Sequence, residues 1–253
     1  MATDEENYHT DMKKKSPNPE NRIPARGSAD YHIPVSLNHP ITVLVDGPDL
    51  CGKTTIVHLL CEELSARGLR VACCKGLVKP TVLHRWLSKF DANRSHSSGL
   101  LNTLYLISAF LDRAQHGDGQ HDILICESHV DRVIAYGLAF RLRSLAKLAL
   151  YLRPLYRRFD IRVLLTASYQ TRLHRLLSRD NPTHIDRKTT ASKAVSDRFS
   201  RYFQATYQSK ECITIHSDTS SKESIVEEIV GRINSLVLDR ISRNVGHGHA
   251  GSQ

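Results

Sequence analysis

The chain has 253 residues, 40% of them hydrophobic and 24% charged, which suits one large domain or two small ones and an ordinary water-facing surface. No apolar run approaches the roughly 20 residues of a membrane span, and the polar segment 1–15 has no apolar centre, so no secretory leader is expected and the expected location is the cytoplasm. A formal net charge of +9 favours anionic ligands of every kind, but aromatics are only 6% and no basic motif is interleaved with them, so nucleic acid is disfavoured as a partner.

Residues 1–39 carry Pro17, Pro19, Pro24 and Pro34 among many charges, the composition of a flexible arm. Strand signals then alternate with helix signals. The β-branched run 41–45 predicts a buried strand, and apolar residues at helical spacing predict a helix over 53–67 that ends at Gly68. A second strand is predicted at 70–74, and a mixed stretch with Trp86 at 80–98. The next helix, 99–115, places Leu100, Leu101, Leu104, Ile107, Ser108 and Leu111 on its expected inner stripe. Then follow a strand at 122–126, a long helical region at 131–152, a strand at 161–166, helices at 169–178 and 190–208, a strand at 212–216, and a helix at 222–238. Residues 241–253, rich in Gly and His, read as a disordered tail. Alternating strands and helices predict a parallel sheet with helices on both faces and ligands at the carboxyl ends of the strands. Six cysteines, at 51, 61, 73, 74, 126 and 212, form no Cys-x-x-Cys pair and are expected to be buried reduced thiols.

Residues 47–54, Gly-Pro-Asp-Leu-Cys-Gly-Lys-Thr, match the phosphate-binding loop pattern G-x-x-x-x-G-K-[ST]. Gly47 and Gly52 let the backbone turn where a side chain would obstruct it. The N–H groups of Gly47, Pro48-Asp49-Leu50-Cys51 (the proline excepted) and Gly52 through Thr55 face a phosphate cradle at a helix N-terminus. Lys53 is the expected partner of the β- and γ-phosphates of ATP, and Thr54 the expected Mg²⁺ ligand.

Four segments of the stretch 41–238 resemble the thymidylate kinase branch of the P-loop nucleoside and nucleotide kinases. The first is Asp46 to Thr55, similar to the family's loop, with Asp49 where the family has an Asp near the acceptor's sugar. The second is Asp112-Arg113-Ala114-Gln115-His116, similar to Asp-Arg-x-x-His, which implies that Arg113 binds the acceptor. The third is Ile123 to His129, in which Glu127 keeps the family's acid and Ser128 replaces the family's phosphate-contacting Arg. The fourth runs from Arg172 and Arg175 through Arg187 to Phe199, Phe203 and Tyr207, similar to an arginine-bearing lid around 170–190. The resemblance implies a three-layer α/β P-loop kinase fold with a five-stranded parallel sheet, occupying 40–240, with ATP and Mg²⁺ as cofactors and a homodimer as its assembly.

Glu127 follows an apolar run, so it is expected at a strand's carboxyl end, facing the loop. There it can hold Mg²⁺ or a Mg²⁺-bound water, or accept a proton from an attacking hydroxyl. Asp49 sits where an anion beside bound phosphate is costly without a task. Arg132 either supplies the guanidinium missing at Ser128 or is a solvated residue near a helix start. Arg172, Arg175 and Arg179 fall at i, i+3 and i+7, one face of a helix; Arg175 as a catalytic cation and Arg179 as an ATP contact compete with a solvated basic face. The basic amphipathic stretch 141–158 can meet a membrane surface or a partner, but its leucines are expected to pack on the sheet and its cations to be wet. The reading is an ATP-dependent phosphotransferase acting on a nucleoside monophosphate, thymidylate-like. A kinase of a free nucleoside or another small hydroxyl compound and a non-catalytic nucleotide-binding regulator stand as alternatives.

Overall fold

The structure, a computed structural model, describes residues 39–78, 98–112, 120–140, 143–207 and 212–247. Its centre is β1 (Ile41–Asp46), whose β-branched residues suit a strand covered on both sides. With β2 (Val71–Lys75), β3 (Ile123–Glu127), β4 (Ile161–Thr166) and β5 (Cys212–His216) it forms one all-parallel sheet in the order β2-β3-β1-β4-β5. Alternate residues of β1 face opposite ways. Val43 and Val45 pack with Ile123, Ile125, Val163 and Leu165 against α1 (Lys53–Ala66) and α8 (Lys222–His247). Leu44, Cys126 and Leu164 face α3 (Val130–Ala139) and α7 (Lys193–Thr206), where Phe199 and Phe203 fill the core. Outside α3 lies a further layer of α2 (Ser98–Asp112) and α4 (Arg143–Tyr151). Between β4 and α7 run α5 (Tyr169–Leu177) and α6 (His184–Thr189).

Several elements differ from their expected bounds. Strands β2 and β3 each begin one residue late because Arg70 and Asp122 bind each other below the sheet. The Asp122 carboxylate accepts from the Arg70 backbone and guanidinium, and the Asp122 N–H donates to the Arg70 carbonyl. Glu127 is therefore the last residue of β3, opposite Val45. The expected helix 131–152 is two helices, followed by a single tight turn at Arg153–Leu155 that brings Arg153 back to Asp131. Helix α8 continues past Leu238 to His247, so residues 241–247, read from sequence as the start of a disordered tail, are helical. Arg240 anchors that extension through Asp160, 2.5 Å away, and through the His39 carbonyl.

The stripe expected for α2 is only partly its buried face. Leu106, Ser108 and Ala109 are buried, whereas Ile107, Phe110 and Leu111 stand 46%, 48% and 47% exposed. The helix is apolar nearly all the way round, so spacing alone did not choose a side. Likewise α4 packs on α3 rather than on the sheet, through Ala146 and Ala149. The cysteine reading also needs correction: Cys61 of α1 and Cys73 of β2 form a disulfide, their Cα atoms 7.2 Å apart, beyond the span of about 4.4–6.8 Å usual for such a bridge. Residue alternation explains it, since Cys73 points to the α1 face while Cys74 points the other way, opposite Cys126. Cys51, Cys74, Cys126 and Cys212 are outside any disulfide.

One buried ion cluster ties these layers together. The fully buried Asp131 carboxylate, in the first turn of α3, accepts from Arg153 at 2.6 and 2.9 Å and from Arg162 of β4 at 2.9 Å. The Arg162 guanidinium lies 4.2 Å over the Tyr207 ring. Removing the carboxylate leaves two cations without their counter-charge in the interior. Asp131→Ala is expected to cost about 3–5 kcal/mol of unfolding free energy, measured by chemical denaturation. A loss below about 1 kcal/mol would mean that the two arginines reach solvent easily.

Candidate active site

At the end of β1 the Asp46 carboxylate accepts from the Gly47 N–H at 2.8 Å and sets the direction of the loop that follows. Gly47 has φ +147°, and a Cβ there would lie 2.0 Å from the Leu165 carbonyl oxygen of β4. The first glycine of the motif is thus required by contact with the sheet as well as by its own backbone. Leu50, a non-glycine residue, sits at φ 66°, a conformation that needs outside support. Arg175 provides it, donating to the Leu50 carbonyl at 2.9 Å and to Ser217 Oγ at 3.1 Å. Ser217 Oγ in turn donates to the Cys51 carbonyl at 2.6 Å. Gly52, at φ 101°, then starts α1. Lys53 Nζ donates to the Gly47 and Pro48 carbonyls, each at 2.8 Å, so the ammonium lies across the mouth of the loop.

Two carboxylates flank this cradle. Thr54 Oγ1 donates to Glu127 Oε1 at 2.8 Å, and Lys75 Nζ lies 3.6 Å from the same oxygen. Among the described residues Glu127 Oε2 is buried without a hydrogen-bond partner. A hydroxyl and a carboxylate with an uncommitted oxygen form a hard donor set that fits Mg²⁺, which keeps most of its waters and needs only one or two carboxylates. Among the described residues no group of three or more His, Cys, Asp or Glu side chains that could hold a metal ion gathers, here or elsewhere. Asp49 is buried; its Oδ1 accepts from Arg132 at 2.8 Å and its Oδ2 from Thr189 of α6 at 3.2 Å. Burial raises the Asp49 carboxyl, but Arg132, Lys53 and the two hydrogen bonds outweigh it and hold the group below the usual carboxylate range. Asp46 goes the other way. Burial pushes it up to about 6 against the pull of Lys53, and the Asp131 charge adds to the rise.

No family model matches the sequence, and no curated protein matches it. Solved structures do. Thymidylate kinase from Candida albicans matches with a TM-score of 0.59 at 14% identity, over 78% of this chain and 92% of that one. Thymidylate kinase from Ehrlichia chaffeensis matches with a TM-score of 0.54 at 17% identity, over 78% of this chain and 99% of that one. The chain has a thymidylate kinase-like P-loop kinase fold.

Within this fold the expected site residues separate. Lys53, Thr54, Glu127, Asp49 and Arg132 converge at the ends of β1 and β3. Arg132, 32% exposed, is not simply solvated; it is bound to Asp49. The three lid arginines do not act together. Arg175 braces the loop from behind, through carbonyls. Arg179 lies beyond the end of α5 and pairs with Asp186 at 3.0 Å while about half exposed. Arg172 is buried, with its Nη2 on Ser196 and Ser200 of α7, and its Nε and Nη1 lack partners. The expected loop 180–190 contains α6, started by a capping box between Thr183 and Asp186, and Arg187 on it is exposed. Lys188 reaches Tyr136 Oη of α3 at 2.9 Å. Arg113 lies outside the described residues.

Sequence reasoning missed Asp46, Thr189, Ser217 and His129. Asp46 alone had a signal, as an acid at a strand's end directly before the loop. His129, fully buried, has Nε2 3.4 Å from the Asp112 carboxylate, and its backbone N–H donates to Asp46. It follows Ser128, whose φ of 62° turns the chain from β3 into α3. Threonine and serine in lid and loop have no pattern of their own, and their role appears only when the segments meet.

The opposite displacements of Asp46 and Asp49 make a pH test. A raised carboxyl binds its proton more tightly when folded, so its contribution to stability is full below about pH 4 and is lost as pH rises to about 6. A lowered carboxyl contributes above about pH 4 and loses that contribution only below it. Asp46→Asn is therefore expected to abolish a decline in unfolding free energy between about pH 4 and 6, while Asp49→Asn is expected to lower unfolding free energy at every pH above about 4, the difference closing only in more acidic conditions. Denaturation curves at half-unit pH steps check both; a wild-type minus Asp46→Asn difference that stays flat across the window refutes the assignment.

Proposed function

We propose that the chain is an Mg²⁺- and ATP-dependent phosphotransferase whose acceptor is a nucleoside monophosphate, thymidylate-like. The observation that supports it most is the Thr54–Glu127 contact directly beside the Lys53 cradle, with the Asp49–Arg132 pair facing the same space. Each side chain then has a task. The loop N–H groups and α1's N-terminus hold donor phosphate, and Lys53 exchanges its loop carbonyls for phosphate oxygens. Thr54 and Glu127 would hold Mg²⁺, which when bound neutralises charge between the β- and γ-phosphates. Arg132, anchored by Asp49, presents its remaining N–H groups to the acceptor. Arg175 keeps the strained loop in shape. A cytoplasmic location, expected from the composition of the sequence, and a homodimer, implied by the resemblance, belong to the same proposal.

One observation favours a second acceptor class. Arg132 is committed to a carboxylate, and Ser128 stands where the resembled family has its phosphate-contacting Arg. An acceptor without a phosphate, such as a free nucleoside, would leave Glu127 Oε2 to take the hydroxyl proton. Acceptor-dependent ADP formation, measured across nucleosides and nucleoside monophosphates with Mg-ATP, decides between them.

Lys53→Ala is expected to abolish transfer with melting unchanged; undiminished turnover ends the kinase reading. Glu127→Gln is expected to lower kcat by about 10²–10⁴-fold while ATP affinity, read by titration, persists. Ser128→Arg is expected to preserve or raise turnover of a monophosphate acceptor and to depress turnover of an uncharged one.

A further inference from the structure

Between Asp131 and Asp160 the sequence holds seven cations and no acid. Arg132, Arg153 and Arg157 turn inward, onto Asp49, Asp131 and Asp112. Arg143, Lys147 and Arg158 are exposed. On α4, residues 143, 147, 148 and 151 follow at i, i+4, i+5 and i+8, so they share one side, opposite the Ala146 and Ala149 face that packs on α3. Leu148 is 54% exposed and Tyr151 82% exposed, and Leu155, in the turn that follows, is 42% exposed. The apolar surface continues onto α2, where the half-exposed Phe110 meets Tyr156 edge-on at 6.2 Å.

We infer that this side of α4 docks on an anionic lipid surface, lying along it rather than crossing it. No described helix is long and apolar enough to span a bilayer. What the face offers is cations spaced among leucine and tyrosine, the pattern of a helix that settles at the headgroup level, with tyrosine suited to that depth. Charge selects the occupant. A second copy packed two-fold would set this cation-bearing patch against itself, whereas an anionic surface attracts every cation on it. The candidate active site is built at the carboxyl ends of β1 and β3, and none of the residues assigned to it belongs to the exposed side of α4. This inference does not rest on the proposed reaction.

The test is sedimentation of the full chain with phosphatidylcholine vesicles, with and without phosphatidylglycerol. Retention is expected only on the anionic vesicles and is expected to weaken as salt rises. Arg143→Gln/Lys147→Gln/Arg158→Gln is expected to bind about 10²-fold more weakly, at roughly fivefold per cation removed. Leu148→Ser/Tyr151→Ser is expected to lose the binding that survives high salt. Unchanged melting and unchanged ATP titration in both variants show that the fold is intact. Equal retention on neutral vesicles, no retention at all, or full retention by the triple variant overturns the inference. So does a wild-type dimer that Leu148→Ser/Tyr151→Ser converts to monomer, which would make the face a subunit interface. Capture by polyglutamate without vesicle retention would assign it to an acidic protein.

Discussion

Three carboxylates are buried at the ends of β1 and β3, and the site is arranged around the cost of keeping them there. An unpaired buried charge is among the most expensive things a fold can contain. Asp46 meets that cost by hydrogen-bonding the first loop N–H and by holding its proton to a higher pH. Asp49 meets it with a guanidinium from α3 and a hydroxyl from the lid. Glu127 is met on one oxygen only, by Thr54 and Lys75. The three solutions recruit α1, α3, α6 and β2, so the loop, the first helix and the lid take their relative positions from electrostatics as much as from apolar packing.

Helix α3 shows how closely the two demands are joined. Its first turn carries Asp131 and Arg132 side by side, and adjacent helical residues diverge by about 100°. Asp131 therefore turns into the protein, to Arg153 and Arg162, while Arg132 turns to the phosphate loop. The left-handed Ser128 and the extended His129 just before them set the angle at which the helix leaves β3. Bulk at this corner would be felt at both clusters.

The phosphate loop was legible in the sequence because chemistry restricts nearly every position in it, and the parallel sheet because its strands are apolar runs separated by helical spacing. The corrections fall where that kind of restriction is absent. Helix α2 is apolar on all sides, so Ile107 and Leu111 looked no less internal than Leu106. Arg172, Arg175 and Arg179 share a spacing, yet one is braced on a loop carbonyl, one pairs with Asp186, and one is sealed under α7 beside two serines. Spacing tells which residues share a side of a helix; it does not tell what waits opposite. The Cys61–Cys73 bridge depended on which strand α1 would cover, a fact of topology that local pattern does not contain.

That bridge joins the helix carrying Lys53 to the strand carrying Lys75, across a sequence separation of 12 residues. Cross-links over loops of this length narrow the unfolded ensemble by up to about 3 kcal/mol, and one stretched to the edge of favourable geometry returns less. The same polypeptide then has two thermal stabilities, one for each oxidation state of a single sulfur pair. A cytosolic thiol pool keeps such pairs open, so the chain's resistance to heat would report the redox poise of its surroundings, independently of any nucleotide it holds.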